Sequence, residues 1–245
     1  MSSNGGLAET GGAEARLNAV RERIRRAAER AGRDAAAVRL VAVSKTVPAR
    51  RVIELARLGQ REFGENKIQE AVPKILEVAE TVPPGRISWR FVGHLQRNKV
   101  KSAIERFDGL DAVDSVRLLD ALEREAARAE RTVPVLLQFN CSGEETKSGF
   151  DPGDWEEAAR GARNCPHLRI EGLMTIARPS DDPERARPDF AALRELRDRL
   201  QDRLSRALPE LSMGMSDDLE VAIDEGSTSV RVGTALFGPR EGTAE

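Results

Sequence analysis

The sequence predicts an α/β fold, a closed (β/α)8 TIM barrel with one extra helix on its N-terminal side, and three observations lead there. Short apolar runs alternate with amphipathic segments along nearly the whole chain, which is the pattern of a parallel sheet whose crossovers are helices. Eight such units occupy about 210 of the 245 residues, the size of a single closed barrel. The first run continues as VSKTVP at 43–48, without the glycine fingerprint that would open a doubly wound dinucleotide-binding sheet.

Taken in order, residues 1–12 are rich in Gly, Ser and Ala without apolar periodicity, and a disordered tail is expected there. Residues 13–240 are expected to form one domain. Over 13–31, Leu17, Val20, Ile24, Ala27 and Ala28 recur at helical spacing, and Gly32 stops the helix. The runs 40–45, 61–66, 88–94, 109–115, 133–140, 168–177, 210–216 and 228–238 read as eight strands. Between them, 49–58, 68–80, 99–107, 116–131, 155–164, 188–208 and 219–226 read as helices.

Composition excludes several functions. With 39 Lys and Arg against 41 Asp and Glu the net charge is −2, so no global field draws nucleic acid or anionic lipid. The RNKVK stretch at 97–101 is a weak basic signal, with only Trp89 and Phe91 near it. No apolar run approaches the ~20 residues of a membrane span, and the start of the chain lacks the order of a secretory signal. A cytoplasmic, monomeric protein without nucleic-acid or membrane partners is expected. Two cysteines, Cys141 and Cys165, and two histidines, His94 and His167, assemble no metal cluster. Tyrosine is absent.

A barrel of this kind does its chemistry at the C-terminal ends of its strands and often holds phosphate after strands seven and eight. Polar residues fall there: Lys45, Glu65 with Asn66, His94, Asp114 with Ser115, Asn140, Thr175, Ser216, and Arg231 with Gly233 and Thr234. Lys45 is either a solvated charge or a partly desolvated amine able to form a Schiff base with an aldehyde. SMGMS at 212–216, preceding a helix, offers a hydroxyl and amide donors to an anion; alternatively Ser216 or Asp217 is only a cap. Gly233 lets backbone approach a phosphate, and Thr234 adds a donor. Arg231, two residues before Gly233, meets either a carboxylate such as Glu65 or a ring nitrogen of a bound heterocycle. His94 shows no acidic orienting group and reads as structural. Glu144, Glu145 and Lys147 form a polar lid or rim after strand five.

These residues resemble a known family. VAVSKTVP, FGENKIQE, FVGHLQRNKVK, VDS at 113–115, QFNCSGEETKSGF, GLMTIA and LSMGMSDDLEVAIDEGSTSVRVGTALFG are similar to the pyridoxal phosphate homeostasis proteins, single-domain relatives of alanine racemase, over residues 40–238. The resemblance implies a fold-type III barrel carrying pyridoxal 5′-phosphate on Lys45. Ser216, Gly233 and Thr234 would bind the phosphate, Arg231 would face the pyridine nitrogen, and Asn66 would lie near the ring. Met174 and Met213 would be contacts. Lys67 departs from the family pattern, where an aromatic is expected after GEN. An Arg231 that stays charged leaves the ring nitrogen unprotonated and a poor electron sink, and racemases of this fold use a tyrosine that this chain lacks. The expectation is a cofactor carrier in pyridoxal phosphate homeostasis with no catalytic residues, binding amino acids as further ligands and touching cofactor-dependent enzymes in passing. A racemase or lyase on the same barrel, or a phosphate-ligand barrel with no covalent lysine, stays open.

Overall fold

The structure is a computed structural model that describes residues 5–238. Eight parallel strands close in sequential order: β1 (Arg39–Val43), β2 (Glu62–Glu65), β3 (Ser88–Phe91), β4 (Gly109–Val113), β5 (Val133–Gln138), β6 (Leu168–Met174), β7 (Glu210–Ser212) and β8 (Ser229–Val232). The seam is β1 against β8, with Val41 opposite Arg231 and Ala42 opposite Val232. Outside the sheet run α1 (Gly5–Arg30), α2 (Ala49–Arg57), α3 (Ile68–Ala79), α4 (Val100–Arg106), α5 (Val116–Arg128), α6 (Trp155–Arg163), α7 (Arg187–Leu204), α8 (Leu219–Asp224) and α9 (Thr234–Phe237). The main core lies between sheet and helices; a small apolar cluster of Ala112, Leu136 and Met174 is separate from it.

Two expectations need correction. The disordered tail expected over 1–12 is helical from Gly5, because LAE and AEAR are good helix formers that extend α1 past its glycines; residues 1–4 lie outside the described ones, as do 239 and 240 of the expected domain. The eighth run, expected to stay extended to 238, ends at Val232 and turns through Gly233 into α9. TALF is as apolar as a strand, but four residues are too few for periodicity to separate strand from helix.

Ion pairs link side chains of neighbouring and facing strands. Arg39 on β1 joins Glu62 on β2 at 3.3 Å and also reaches Glu210 on β7, while Arg90 on β3 pairs with Asp111 on β4. Since β8 lies between β1 and β7, the Arg39–Glu210 contact crosses the barrel interior. Burial pushes the Glu210 carboxyl above its ordinary pKa, against the pull of Arg39. Among the described residues no helix is long and apolar enough to cross a membrane, and no group of three or more His, Cys, Asp or Glu could hold a metal ion.

Candidate cofactor site

All the polar strand ends lie at one mouth, because every strand of the closed barrel runs in the same direction. Lys45 follows β1 by two residues and is half-buried. Its neighbour Thr46 has φ of 63°, a left-handed conformation that a β-branched residue adopts only under constraint. Across the seam, Gly233 follows β8 and sits with its Cα so near Val43 that a Cβ would lie 3.2 Å from the Val43 carbonyl oxygen. Lys45, Thr46, Gly233 and Thr234 line one cavity of about 140 Å³. Thr234 opens α9, where the first amides of a helix have no intrahelical acceptor.

Arg231 is buried inside the barrel. Its Nη1 donates to Ser212 Oγ at 2.7 Å and its Nη2 to the Thr175 carbonyl at 2.8 Å, reaching past β7 to the end of β6. Burial lowers its pKa, and the charges of Asp111 and Asp218 oppose that shift. The pairing with Glu65 weighed from sequence does not form. Glu65 is turned to the outside of β2, where it binds Lys74 and Ser44.

Ser216 is half-buried in the turn between β7 and α8. Neither it nor Asp217 caps the helix: Asp218 takes the N-cap position, and its carboxylate accepts the Met215 N–H at 2.6 Å. The turn depends on Gly214, at φ 95°, where a Cβ would come within 2.6 Å of the Ala222 Cβ. The Ser216 carbonyl accepts from Arg23 of α1 at 2.8 Å, and the same guanidinium grips both oxygens of Glu220 at 2.7 and 2.8 Å.

Asn66 ends β2. Gly93 packs so tightly on its backbone that a Cβ would lie 2.3 Å from the Asn66 carbonyl oxygen. The side-chain Oδ1 of Asn66 is buried and has no hydrogen-bond partner among the described residues. Asn66 lines a groove with His94 rather than the Lys45 cavity. His94 does have the orienting group that local sequence failed to show: its Nδ1 lies 2.8 Å from Asp114 Oδ2 and 3.3 Å from Ser148 Oγ. The loop after β5 is tied down by Lys147, whose Nζ contacts Glu144 and donates to the Ala177 carbonyl at 2.9 Å. Beside it, burial pushes the Cys141 thiol up to about 11.

The structure therefore brings Lys45, Gly233 and Thr234 together, puts Arg231 inside the barrel beneath the mouth, and sets Ser216 and Asn66 on its rim. Sequence reasoning missed Arg51 of α2, which also lines the Lys45 cavity; nothing local distinguishes it from Arg50. It missed Arg23 as well, one of many arginines on α1.

A closed eight-stranded barrel with a lysine after the first strand and glycine-bearing turns after the seventh and eighth matches the alanine racemase N-terminal type. The sequence matches the family described as "Alanine racemase, N-terminal domain" over residues 15–241. It is 46% identical over 222 residues to the pyridoxal phosphate homeostasis protein of Pseudomonas aeruginosa, covering 91% of this chain and 93% of that one. It is 42% identical over 226 residues to the protein of the same name from Aquifex aeolicus, covering 92% and 97%. The structure of PipY from Synechococcus elongatus with pyridoxal phosphate bound superposes with a TM-score of 0.80 at 34% identity, covering 92% of this chain and 100% of that one. The chain belongs to the pyridoxal phosphate homeostasis protein family.

Proposed function

We propose that this protein binds pyridoxal 5′-phosphate at the barrel mouth and holds it as a carrier in cofactor homeostasis. The observation that carries this is the cavity that joins the Lys45 amine to the Gly233–Thr234 turn, which sets an amine against anion donors. When bound, the cofactor supplies an aldehyde that condenses reversibly with primary amines. The residues fit it: Gly233, Thr234 and Ser216 offer donors to the phosphate and Lys45 offers the amine, while Asn66 stands on the neighbouring His94 groove. Arg231 offers donors only, so a ring nitrogen that meets it accepts a hydrogen bond and stays unprotonated. Release to cofactor-dependent enzymes through transient contact, from a cytoplasmic monomer, completes the proposal.

Borohydride treatment of the protein loaded with pyridoxal phosphate, followed by peptide mapping, should place the pyridoxyl group on Lys45. An adduct confined to other lysines would refute the assignment. The racemase or lyase alternative draws support from one finding, the oriented His94–Asp114 pair at the rim. Against it stand Arg231 and the absence of tyrosine. Alanine incubated with the loaded protein in D2O should keep its α-proton by NMR. Rapid exchange abolished in both Lys45→Ala and His94→Ala would instead make this an enzyme, since a positioned acid or base contributes about 10²–10⁴-fold.

A further inference from the structure

Behind Lys45, between β1 and α3, lies a buried ion pair that the cofactor contacts leave unused. Lys74 of α3 is 8% exposed and Glu65 is 0% exposed. The Lys74 ammonium donates to Glu65 Oε1 at 2.7 Å and to the Ser44 carbonyl at 2.6 Å. The Ser44 hydroxyl donates to the same Glu65 oxygen at 2.7 Å, and the Ser44 N–H to the Gly64 carbonyl at 2.9 Å. Ser44 is thus held at its amide, its carbonyl and its side chain, one residue before Lys45. One residue after Lys45, Thr46 sits at φ 63° with its hydroxyl on the Lys45 carbonyl at 2.6 Å. Such a conformation persists only where the surroundings over-determine it.

A buried Lys–Glu pair is a poor way to stabilise a fold, because well-packed apolar side chains of similar volume often do as well or better. Its position beside a strained backbone calls for a geometric role. We infer that Lys74 and Glu65 are positioning residues: by fastening Ser44 from the outer side of the barrel they aim Lys45 into the mouth. In that orientation the neutral Lys45 nitrogen bonds the aldehyde carbon of the ligand with loss of one water. This inference rests on the cofactor reading.

The test compares two ligands on the full chain: pyridoxal 5′-phosphate and 4′-deoxypyridoxine 5′-phosphate, which keeps ring and phosphate but carries a methyl group where the aldehyde was. In the double variant Glu65→Gln/Lys74→Met, which removes the charges together, the deoxy ligand should bind within about twofold of the parent. Capture of the aldehyde ligand should slow by roughly 10- to 100-fold, the scale of a misplaced reacting group. Ser44→Ala, which leaves the pair intact and removes only the hydroxyl link, should show the same selective loss at about two- to fivefold, and it decides the matter if the double variant does not fold. Unchanged capture in the variants, or an equal loss for both ligands, overturns the positioning role. A parent protein that takes up neither ligand overturns the cofactor reading itself and the inference with it.

Discussion

Ser216 is half-buried, its backbone carbonyl is engaged by Arg23, and its hydroxyl is the one proposed to bind phosphate. A charge-assisted hydrogen bond contributes about 1.5–3 kcal/mol, so Ser216→Ala should weaken pyridoxal phosphate binding roughly 10- to 150-fold. Titration of the apoprotein checks this, and unchanged affinity would reduce Ser216 to a turn residue. Which single residues could be read from sequence follows from where their signals lie. Lys45 ends an apolar run and Gly233 is a glycine inside one, so a local pattern marks them. His94 finds its carboxylate in Asp114, a full strand away, and Arg231 finds one of its acceptors in the Thr175 carbonyl. A backbone carbonyl belongs to every residue and leaves no trace in a sequence, so no inspection of Arg231 alone could choose among its candidate partners.

At the scale of elements, α1 does more than cover the barrel. Its buried face, Leu17, Val20, Ile24, Ala27 and Ala28, was legible from spacing, but its arginines act where periodicity is silent. Arg16 donates to the Leu236 carbonyl of α9 at 2.8 Å, and Arg23 holds Glu220 of α8 together with the Ser216 carbonyl. One helix therefore steadies both turns proposed to bind phosphate. The Arg23–Glu220 pair is about a third exposed, so it is discounted to roughly 0.2–1 kcal/mol. Arg23→Ala should accordingly weaken cofactor binding by about 1.5- to 5-fold and speed hydrogen exchange of the amides at 214–217. Binding and exchange identical to the parent would leave α1 a mere cover. The eight strands and their order were legible because alternation admits few arrangements. Their exact ends were not, since an apolar residue serves a strand end and a helix start equally well.

At the scale of the whole molecule, the proposed site straddles the join between β1 and β8, so a bound ligand ties the two ends of the sheet. Ligand at 100 times its Kd adds about 2.7 kcal/mol to the stability of the state that binds it, and for a chain of this size that raises Tm by roughly 5–10 °C. Scanning calorimetry with and without pyridoxal phosphate should show this rise, and Lys45→Ala should lose part of it; no rise would mean that the join is not bridged. The same placement has a consequence for biosynthesis. Lys45 leaves the ribosome about 190 residues before Thr234, an interval on the order of ten to forty seconds at ordinary elongation rates. Throughout that time the amine exists without the turn proposed to bind phosphate, so on this proposal the nascent chain holds only half of the site. If the proposed site is right, firm possession of the cofactor marks a molecule whose eighth strand has been made and has found its first.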